Sequence, residues 1–437
     1  MLAAMAPSPS SPQATTAARE RGDACPGTLR LHAADDGALA RVRVPGGVVS
    51  VAQAVALATA SRRLGDGDLH LTSRGNVQLR GLREGCGGEL AGALGAAGLL
   101  PAPGHERVRN VVASPLSGLD GRGLHDVRPW LVALDRALCA SAAARELSGR
   151  FLFAVDDGRG DVAGLGADVT VRATADGGAV LCLGASGAVL RVSGQDAPRA
   201  AVLAAETFLA TVRASGTPVW RVDELAVSAD ELAGEVRSRL AEDGIEVAGA
   251  AQREPAGAGG PAPGAHGRAL SVHVPLGRLS AAQWGELVDV AAAAGTAARG
   301  ELRLTPWRGV VVPAPDLDGP QATAALDRLA SAGLVVEPAS PWLRVGACVG
   351  RPGCAKSRTD VRADATRALA SAGRAPLPVY WSGCERRCGR PRGDLIDAVA
   401  APAGGYELIT AVRGRDPRTA PLDDPSDFAT ALAAIAP

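Results

Sequence analysis

The chain has 437 residues, a formal net charge of zero and only 3% aromatic side chains. A balanced charge excludes general binding to nucleic acid or to a membrane surface through a polybasic face. The apolar runs are rich in alanine and too short to span a bilayer. We therefore expect a cytoplasmic protein that binds neither nucleic acid nor membrane.

Residues 1–24 are rich in Ala, Ser and Pro and lack the basic start and long apolar stretch of a signal peptide. They are predicted to be a disordered tail.

Two segments of the chain resemble each other. "RVRVPGGVVSVAQAVALA" from Arg41 and "SVHVPLGRLSAAQWGELV" from Ser271 are followed by "DLHLTSRGNVQLRG" and "ELRLTPWRGVVVPA". Each copy alternates apolar and polar residues, passes through an Ala-rich helical stretch and returns to alternation. The pattern predicts a duplicated strand–helix–strand–helix unit, half of a ferredoxin-like fold, whose copies pair into one pseudo-symmetric body. The alternative is chance similarity between two Ala- and Val-rich segments.

The copies alternate with two mixed α/β regions, so the order is A–B–linker–A′–B′ and the fold class is α+β. We place the half-units at 25–105 and 269–340, with the first α/β domain at 106–248. A Gly-, Ala- and Pro-rich linker at 249–268 and an α/β domain at 341–437, with the clustered cysteines, complete the chain.

Four of the eight cysteines cluster as C-x5-C and C-x3-C: Cys348, Cys354, Cys384 and Cys388. Thiolates are soft ligands that suit zinc or iron–sulfur clusters. Structural zinc usually has gaps of two to four residues, whereas the larger iron–sulfur cluster accepts wider loops. An iron–sulfur cluster is favoured; structural zinc or four unliganded core cysteines are the alternatives.

The cysteine spacing and the duplicated unit together resemble the sirohaem-dependent nitrite and sulfite reductase superfamily. The resemblance covers nearly the whole chain from Cys25 onward. It implies a [4Fe–4S] cluster on the four cysteines, with Cys388 at the position that bridges to the sirohaem iron.

Arginines recur in the strands that carry this resemblance. Tetrapyrroles of the sirohaem and corrin type carry many carboxylates, and the planar guanidinium pairs with carboxylates bidentately. The residues expected to bind such a ring are Arg43, His70, Thr72, Arg74, Gln78, Arg80, Asn110, Arg303 and Arg308. The resemblance gives catalytic roles to Arg41, Arg109 and Arg150; solvated charges on a strand face are the alternative for any one arginine.

Two departures from the reductase pattern narrow the choice of branch. The resemblance implies two lysines in the segment "GRFLFAVDDG", where this chain has Arg150 and Leu152. His70 stands where the reductases have an arginine that contacts sirohaem. These departures favour the precorrin-3B synthase branch of aerobic cobalamin synthesis, which the segments "CPG", "FLFAVDDGRGD" and "SGCERRCGRP" also resemble.

That branch implies an oxygen-dependent hydroxylation of precorrin-3A at C20 with lactone formation. It implies electrons that originate from NADH and arrive through a separate reductase or ferredoxin. A mononuclear non-haem iron is a further implied cofactor, for which the sequence fixes no ligands. The alternatives are a sirohaem-dependent nitrite or sulfite reductase and a non-catalytic carrier of a tetrapyrrole or a cluster.

One nucleotide-binding motif is rejected. Gly158-x-Gly160-x-x-Ala163 matches the dinucleotide fingerprint formally, but the mechanism of that motif needs a helix next. The sequence that follows, "LGADVTVRA", alternates like a strand.

Overall fold

The computed structural model describes residues 26–185, 189–248, 259–294, 300–391 and 393–435. The predicted tail, residues 249–258 of the predicted linker and Cys25 lie outside the described residues. The chain forms two compact units. One combines Thr28–Leu100 with Gly260–Pro437, and the other is built on Pro101–Gly259.

The first copy of the repeat forms a small α/β layer. Its elements are β1 (His32–Ala34), β2 (Gly37–Val42), β3 (Val48–Ser50), α1 (Val51–Leu64), β4 (Leu69–Leu71), β5 (Val77–Leu82) and α2 (Gly87–Ala96). Ser50 begins α1 as a capping box, because its side chain accepts from the Gln53 N–H while the Gln53 side chain accepts from the Ser50 N–H. The strand–helix–strand–helix order is the predicted one.

The unit built on Pro101–Gly259 contains a five-stranded sheet of order β10-β9-β8-β7-β6. Its elements are β6 (Val111–Ala113), α3 (Arg128–Ala140), β7 (Phe153–Asp156), β8 (Val169–Ala173), β9 (Ala179–Leu183), β10 (Val189–Val192), α4 (Ala197–Ser215) and α5 (Ala229–Glu242). Strands β6, β7 and β8 are parallel, and β9 and β10 continue antiparallel. The rejected fingerprint leads from β7 into β8, the strand predicted from its alternation.

The second copy repeats the first. Its elements are β11 (Gly264–His266), β12 (Ala269–His273), β13 (Arg278–Leu279), α6 (Ala281–Ala294), β14 (Glu301–Leu304), β15 (Gly309–Pro313) and α7 (Gly319–Ser331). Strand β11 lies inside the predicted linker, where it pairs with β12 as β1 pairs with β2. Ser280 and Gln283 exchange side-chain-to-backbone hydrogen bonds before α6, as Ser50 and Gln53 do before α1.

The two copies complete each other's sheets. Strand β3 of the first copy pairs with β14 of the second, and β13 of the second pairs with β4 of the first. The indole N–H of Trp284 on α6 donates to the Ala54 carbonyl on α1 at 2.9 Å, and both side chains lie in one apolar core. The predicted pairing into one pseudo-symmetric body is confirmed.

The cysteine-bearing region forms a sheet of order β16-β17-β18-β19-β20. Its elements are β16 (Val345–Ala347), α8 (Val361–Arg367), α9 (Leu369–Ala372), β17 (Val379–Ser382), β18 (Leu395–Ala400), β19 (Tyr406–Ala411), β20 (Thr419–Leu422) and α10 (Phe428–Ala433). Strands β16, β17 and β18 are parallel, and β19 and β20 are antiparallel to their neighbours. This is the strand pattern of β6 to β10, so the α/β regions repeat as the half-units do.

Candidate functional site

The two cysteine loops leave the same edge of one sheet. Cys348 follows β16 directly, and Cys384 lies two residues beyond β17, which is parallel to β16. Because parallel strands end at the same edge, the two loops meet there. The Gly383 N–H donates to the Cys348 sulfur at 3.3 Å, which joins one loop to the other.

The four thiols lie close enough to influence one another. Burial raises the pKa of Cys348, and the neighbouring Cys384 and Cys354 raise it further. Burial also raises the pKa of Cys388, and the other three cysteines add to the rise. All four are free cysteines. Four thiols whose negative charges oppose one another are suited to binding a cation.

The described cysteine sulfurs are not gathered as they would be around a bound zinc ion. A tetrahedral zinc site with Zn–S bonds of about 2.3 Å brings its sulfurs within roughly 3.8 Å of each other. Over the described ranges, no three cysteine sulfurs lie within 4.8 Å of one another.

The second cysteine loop is anchored to the sheet beneath it. Asp397 on β18 is fully buried and accepts from the guanidinium groups of Arg387 and Arg390 at 2.9–3.2 Å. The Tyr380 hydroxyl on β17 donates to the Cys388 carbonyl at 2.6 Å. These bonds fix the backbone that carries Cys384 and Cys388.

Close packing around the cysteine loops requires glycine at two positions. A Cβ atom on Gly383 would lie 1.8 Å from the Ser357 hydroxyl oxygen. Gly350 has a φ of +70°, and a Cβ there would lie 2.7 Å from the Val361 side chain. At both positions the cysteine loops pack so closely against Ser357 and Val361 that a larger residue would force these neighbours to move.

Several arginines predicted to meet a tetrapyrrole have partners within the protein. Arg80 is buried, forms a bidentate pair with Asp36 at 2.8 and 2.9 Å, and donates to the Gly353 carbonyl. Arg303 donates to Glu301 at 2.9 Å. In the amide orientation that satisfies both groups, the Gln78 oxygen accepts from Arg41 at 2.6 Å. Arg80 therefore ties the first half-unit to the loop that carries Cys354.

The remaining predicted residues of this unit differ in burial and contacts. The Thr72 hydroxyl accepts from the backbone N–H of Arg74 and of Asn76, so it closes its own turn. Arg43 and His70 are buried. The Arg308 guanidinium lies 5.8 Å from the centre of the Tyr380 ring and has no carboxylate partner within the described ranges.

Arg109, Asn110 and Arg150 belong to the other unit. Arg109 forms a bidentate pair with Asp135 at 2.7 and 2.8 Å. The Asn110 amide donates to the Phe151 carbonyl at 2.9 Å. Arg150 is exposed, with its guanidinium 4.6 Å from the Trp220 ring centre. Leu152 is buried at 3% exposure, and its backbone N–H donates to the buried Asp168 carboxylate at 2.8 Å.

Three aspartates form a cluster that the sequence analysis did not single out. Asp156, Asp157 and Asp161 are buried after β7, and one ligand atom from each lies within 4.8 Å of the others. Asp156 accepts backbone N–H groups from Gly158 and Gly160. Asp157 pairs with Arg159 at 2.7 Å. Asp161 accepts from the Ser114 hydroxyl at 2.6 Å, so all three carboxylates have partners within the protein.

The same cluster has an unusual proton affinity. Burial raises the pKa of Asp161 to about 7; a hydrogen bond from Ser114 opposes the rise and the neighbouring Asp156 and Asp157 add to it. The loop after β7 matches, in its own sheet, the cysteine loop after β17. The motif "DDGRGD" is the sequence signal for this cluster; it contributes to the branch resemblance and to the rejected fingerprint, but does not by itself predict three adjoining carboxylates.

Comparison with known proteins agrees with this architecture. The family model for the nitrite/sulfite reductase ferredoxin-like half domain matches residues 32–96 and 261–330, which lie in the two copies of the repeat. A precorrin-3B synthase from Sinorhizobium sp is 30% identical over 403 residues, covering 91% of this chain and 84% of that protein.

The chain belongs to the nitrite and sulfite reductase superfamily. A ferredoxin–nitrite reductase from Synechococcus elongatus is 27% identical over 392 residues, covering 81% of this chain and 74% of that protein. The solved structure of Mycobacterium tuberculosis NirA matches with a TM-score of 0.68 at 18% identity, over 90% of this chain and 79% of that one. The fold of this chain is therefore the superfamily fold. None of its described helices has the length and apolar character needed to cross a membrane.

Proposed function

We propose that this chain is a precorrin-3B synthase, which hydroxylates precorrin-3A at C20 with dioxygen and closes a lactone. The observation that carries the proposal is the likeness to the Sinorhizobium precorrin-3B synthase along 91% of this chain. The reaction needs one dioxygen, two electrons and two protons; one oxygen atom enters the substrate and the other leaves as water.

The buried Leu152 supports the same branch. In the reductase pattern a lysine at this position holds an anionic substrate, and an ammonium group buried here would lose much of its hydration. The leucine removes that charge, so the site is less suited to sulfite or nitrite.

We further propose that Cys348, Cys354, Cys384 and Cys388 hold a [4Fe–4S] cluster. The support is the four free thiols on two loops that meet at one sheet edge, and the N–H group aimed at Cys348. When bound, such a cluster supplies single electrons. The protein would hold the thiolates in place through the anchored loops.

The structure gives less support to a mononuclear non-haem iron than to the cluster. Non-haem iron oxygenases commonly use two histidines and one carboxylate. Within the described ranges, the set of three close ligand atoms consists of Asp156, Asp157 and Asp161, without a histidine, and these carboxylates already have partners. The residues present do not fit that metal site, and we assign no ligands to such an iron.

Electrons are proposed to come from a separate reductase or ferredoxin, with NADH as their origin. The described segment after β7 leads into strand β8 and not into a helix that would bind a pyrophosphate. The nitrite reductase relatives are named for ferredoxin, which supports an iron–sulfur donor of that kind.

The absorption spectrum of anaerobically purified protein, with iron and sulfide assayed on the same sample, tests the cofactor assignment. A broad cluster absorption without haem bands is expected, and Cys354→Ser should remove it while the control Cys139→Ser keeps it. Sirohaem bands beside the cluster would instead favour a nitrite or sulfite reductase. An unchanged spectrum in Cys354→Ser would remove that cysteine from the ligand set.

A further inference from the structure

Cys354 lies at the tip of a loop whose base is closed within the cysteine-bearing region. The Arg351 N–H donates to the Thr359 carbonyl at 3.0 Å, and the Arg351 Nε donates to the Ser357 carbonyl at 2.7 Å. The Ser357 N–H donates to the Cys354 carbonyl at 2.9 Å, which continues the closure toward the tip. Two further polar groups of the tip, Gly353–Ala355, have partners outside this region.

Two residues of the first half-unit bind the peptide groups that flank Cys354. Arg80 on β5 donates to the carbonyl of Gly353 at 2.5 Å. The carboxylate of Asp35 accepts from the N–H of Ala355. Gly353 and Ala355 come directly before and after Cys354. The first half-unit therefore holds the loop tip on both sides of the thiol.

Asp36 keeps Arg80 in the position that this contact needs. It follows Asp35 in the turn between β1 and β2, and it accepts from Arg80 bidentately at 2.8 and 2.9 Å. The Arg80 side chain is 5% exposed and that of Asp36 is 22% exposed, so the pair is largely shielded from water. A Cβ on Gly353 would lie 2.9 Å from the Asp36 carboxylate and 3.0 Å from the Arg80 guanidinium. The loop tip thus packs directly against the ion pair.

The second copy of the repeat has different residues at these positions. The turn between β11 and β12, in the place of Asp35–Asp36, is Gly267–Arg268. The strand register aligns β5 with β15 so that Arg80 corresponds to Pro313, which has no side-chain donor. The acidic turn and the arginine occur in the copy that meets the loop of Cys354, although both copies have the same fold. A role in that contact explains the difference, whereas a general role in the half-unit does not.

We propose that Asp35, Asp36 and Arg80 are positioning residues that hold the Cys354 thiol where the metal site needs it. A free loop tip would lose conformational entropy when the metal binds, whereas a tip that is already held has lost it on folding. The thiol is then a tighter ligand, and this role replaces the ring contact expected of Arg80. The identity of the metal rests on the proposed function, but the hold on the loop tip does not.

Hydrogen exchange of the Ala355 amide in metal-free protein tests the hold directly. Asp35→Ala removes the acceptor of that N–H, and the fold should survive because Asp35 is exposed. Exchange should become about 10- to 100-fold faster, the range for one lost hydrogen bond to a charged group. Asp316→Ala is the matched control, because Asp316 is exposed on the same unit and forms no ion pair over the described residues. The control should exchange as the unaltered protein does.

Asp35→Asn separates positioning from charge. Asparagine keeps an oxygen acceptor in the same place but loses the negative charge. In protein loaded with iron and sulfide, Asp35→Ala should release iron to a chelator faster than the unaltered protein, whereas Asp35→Asn should release it at nearly the unaltered rate. If Asp35→Asn behaves like Asp35→Ala in both exchange and iron release, the effect is one of charge alone and the positioning role is overturned.

Arg80→Met tests the other side of the loop tip. It removes the donor to Gly353, so it should also speed the exchange of the Ala355 amide. Unchanged exchange in either Asp35→Ala or Arg80→Met would overturn the hold, even in a protein that binds a cluster. Faster exchange in both variants, in a protein that cannot be loaded with iron and sulfide, would support the hold and count against the proposed cluster.

Discussion

Replacement of Asp397 by asparagine should loosen the loop that carries Cys384 and Cys388. Asp397 is fully buried and accepts from two guanidinium groups, Arg387 and Arg390, whose side chains are 34% and 26% exposed. Breaking a buried ion pair costs about 3–5 kcal/mol. Because water can reach both arginines in the variant, we expect about 2–3 kcal/mol here.

Calorimetry and metal analysis measure the two consequences. A loss of about 2–3 kcal/mol in a large domain lowers the melting temperature by roughly 4–12 °C. Iron and sulfide should also be lost faster to a chelator, because the loop opens more often. Asp423→Asn, an exposed aspartate of the same region, is the control. An Asp397→Asn protein that melts and retains iron like the control would refute the anchoring role.

Three further predictions concern single positions. Gly383→Ala places a Cβ 1.8 Å from the Ser357 hydroxyl oxygen, so the purified variant should contain less iron; a full complement would contradict the close approach. Asp161 ionises near pH 7 when folded and near its ordinary 3.8 when unfolded, so wild-type stability should fall by up to about 4 kcal/mol as pH rises through this window. Urea unfolding of Asp161→Asn should show a flatter pH profile, and an unaltered slope would exclude this carboxyl as its source. Leu152→Lys buries an ammonium group, so it should melt at a lower temperature and gain no sulfite reduction in a dye-linked assay. Measurable sulfite turnover would show that this position alone separates the branches.

The duplication could be predicted because local sequence patterns recur in both copies. The recurring Val-Pro, the Ser-x-x-Gln caps and the Leu-Thr turns each determine a short element, and these elements occur in the same order in both copies. The cysteine loops were likewise visible from spacing. The exchange of β3 and β13 between the copies could not be predicted from the sequence, because a strand of two or three residues leaves no periodic signal.

The sequence also could not predict which arginines pair with carboxylates. Arg80 and Arg308 both lie in the matching strand-and-turn segments, yet Arg80 meets Asp36 and Arg308 meets no carboxylate over the described residues. From the sequence, Arg362 is indistinguishable from a solvated helix residue, but in the fold it is half-buried beside His70. Charge compensation depends on contacts between distant segments, and those contacts appear only in the folded chain.

The origin of the new oxygen atom in the product tests the central claim most directly. Cluster-loaded protein would receive precorrin-3A, a chemical reductant and isotopically heavy dioxygen, with mass spectrometry of the tetrapyrrole. The account predicts a product that carries one heavy oxygen atom and a lactone, and no such product without dioxygen. An unchanged precorrin-3A, in a preparation that reduces nitrite or sulfite instead, would contradict it.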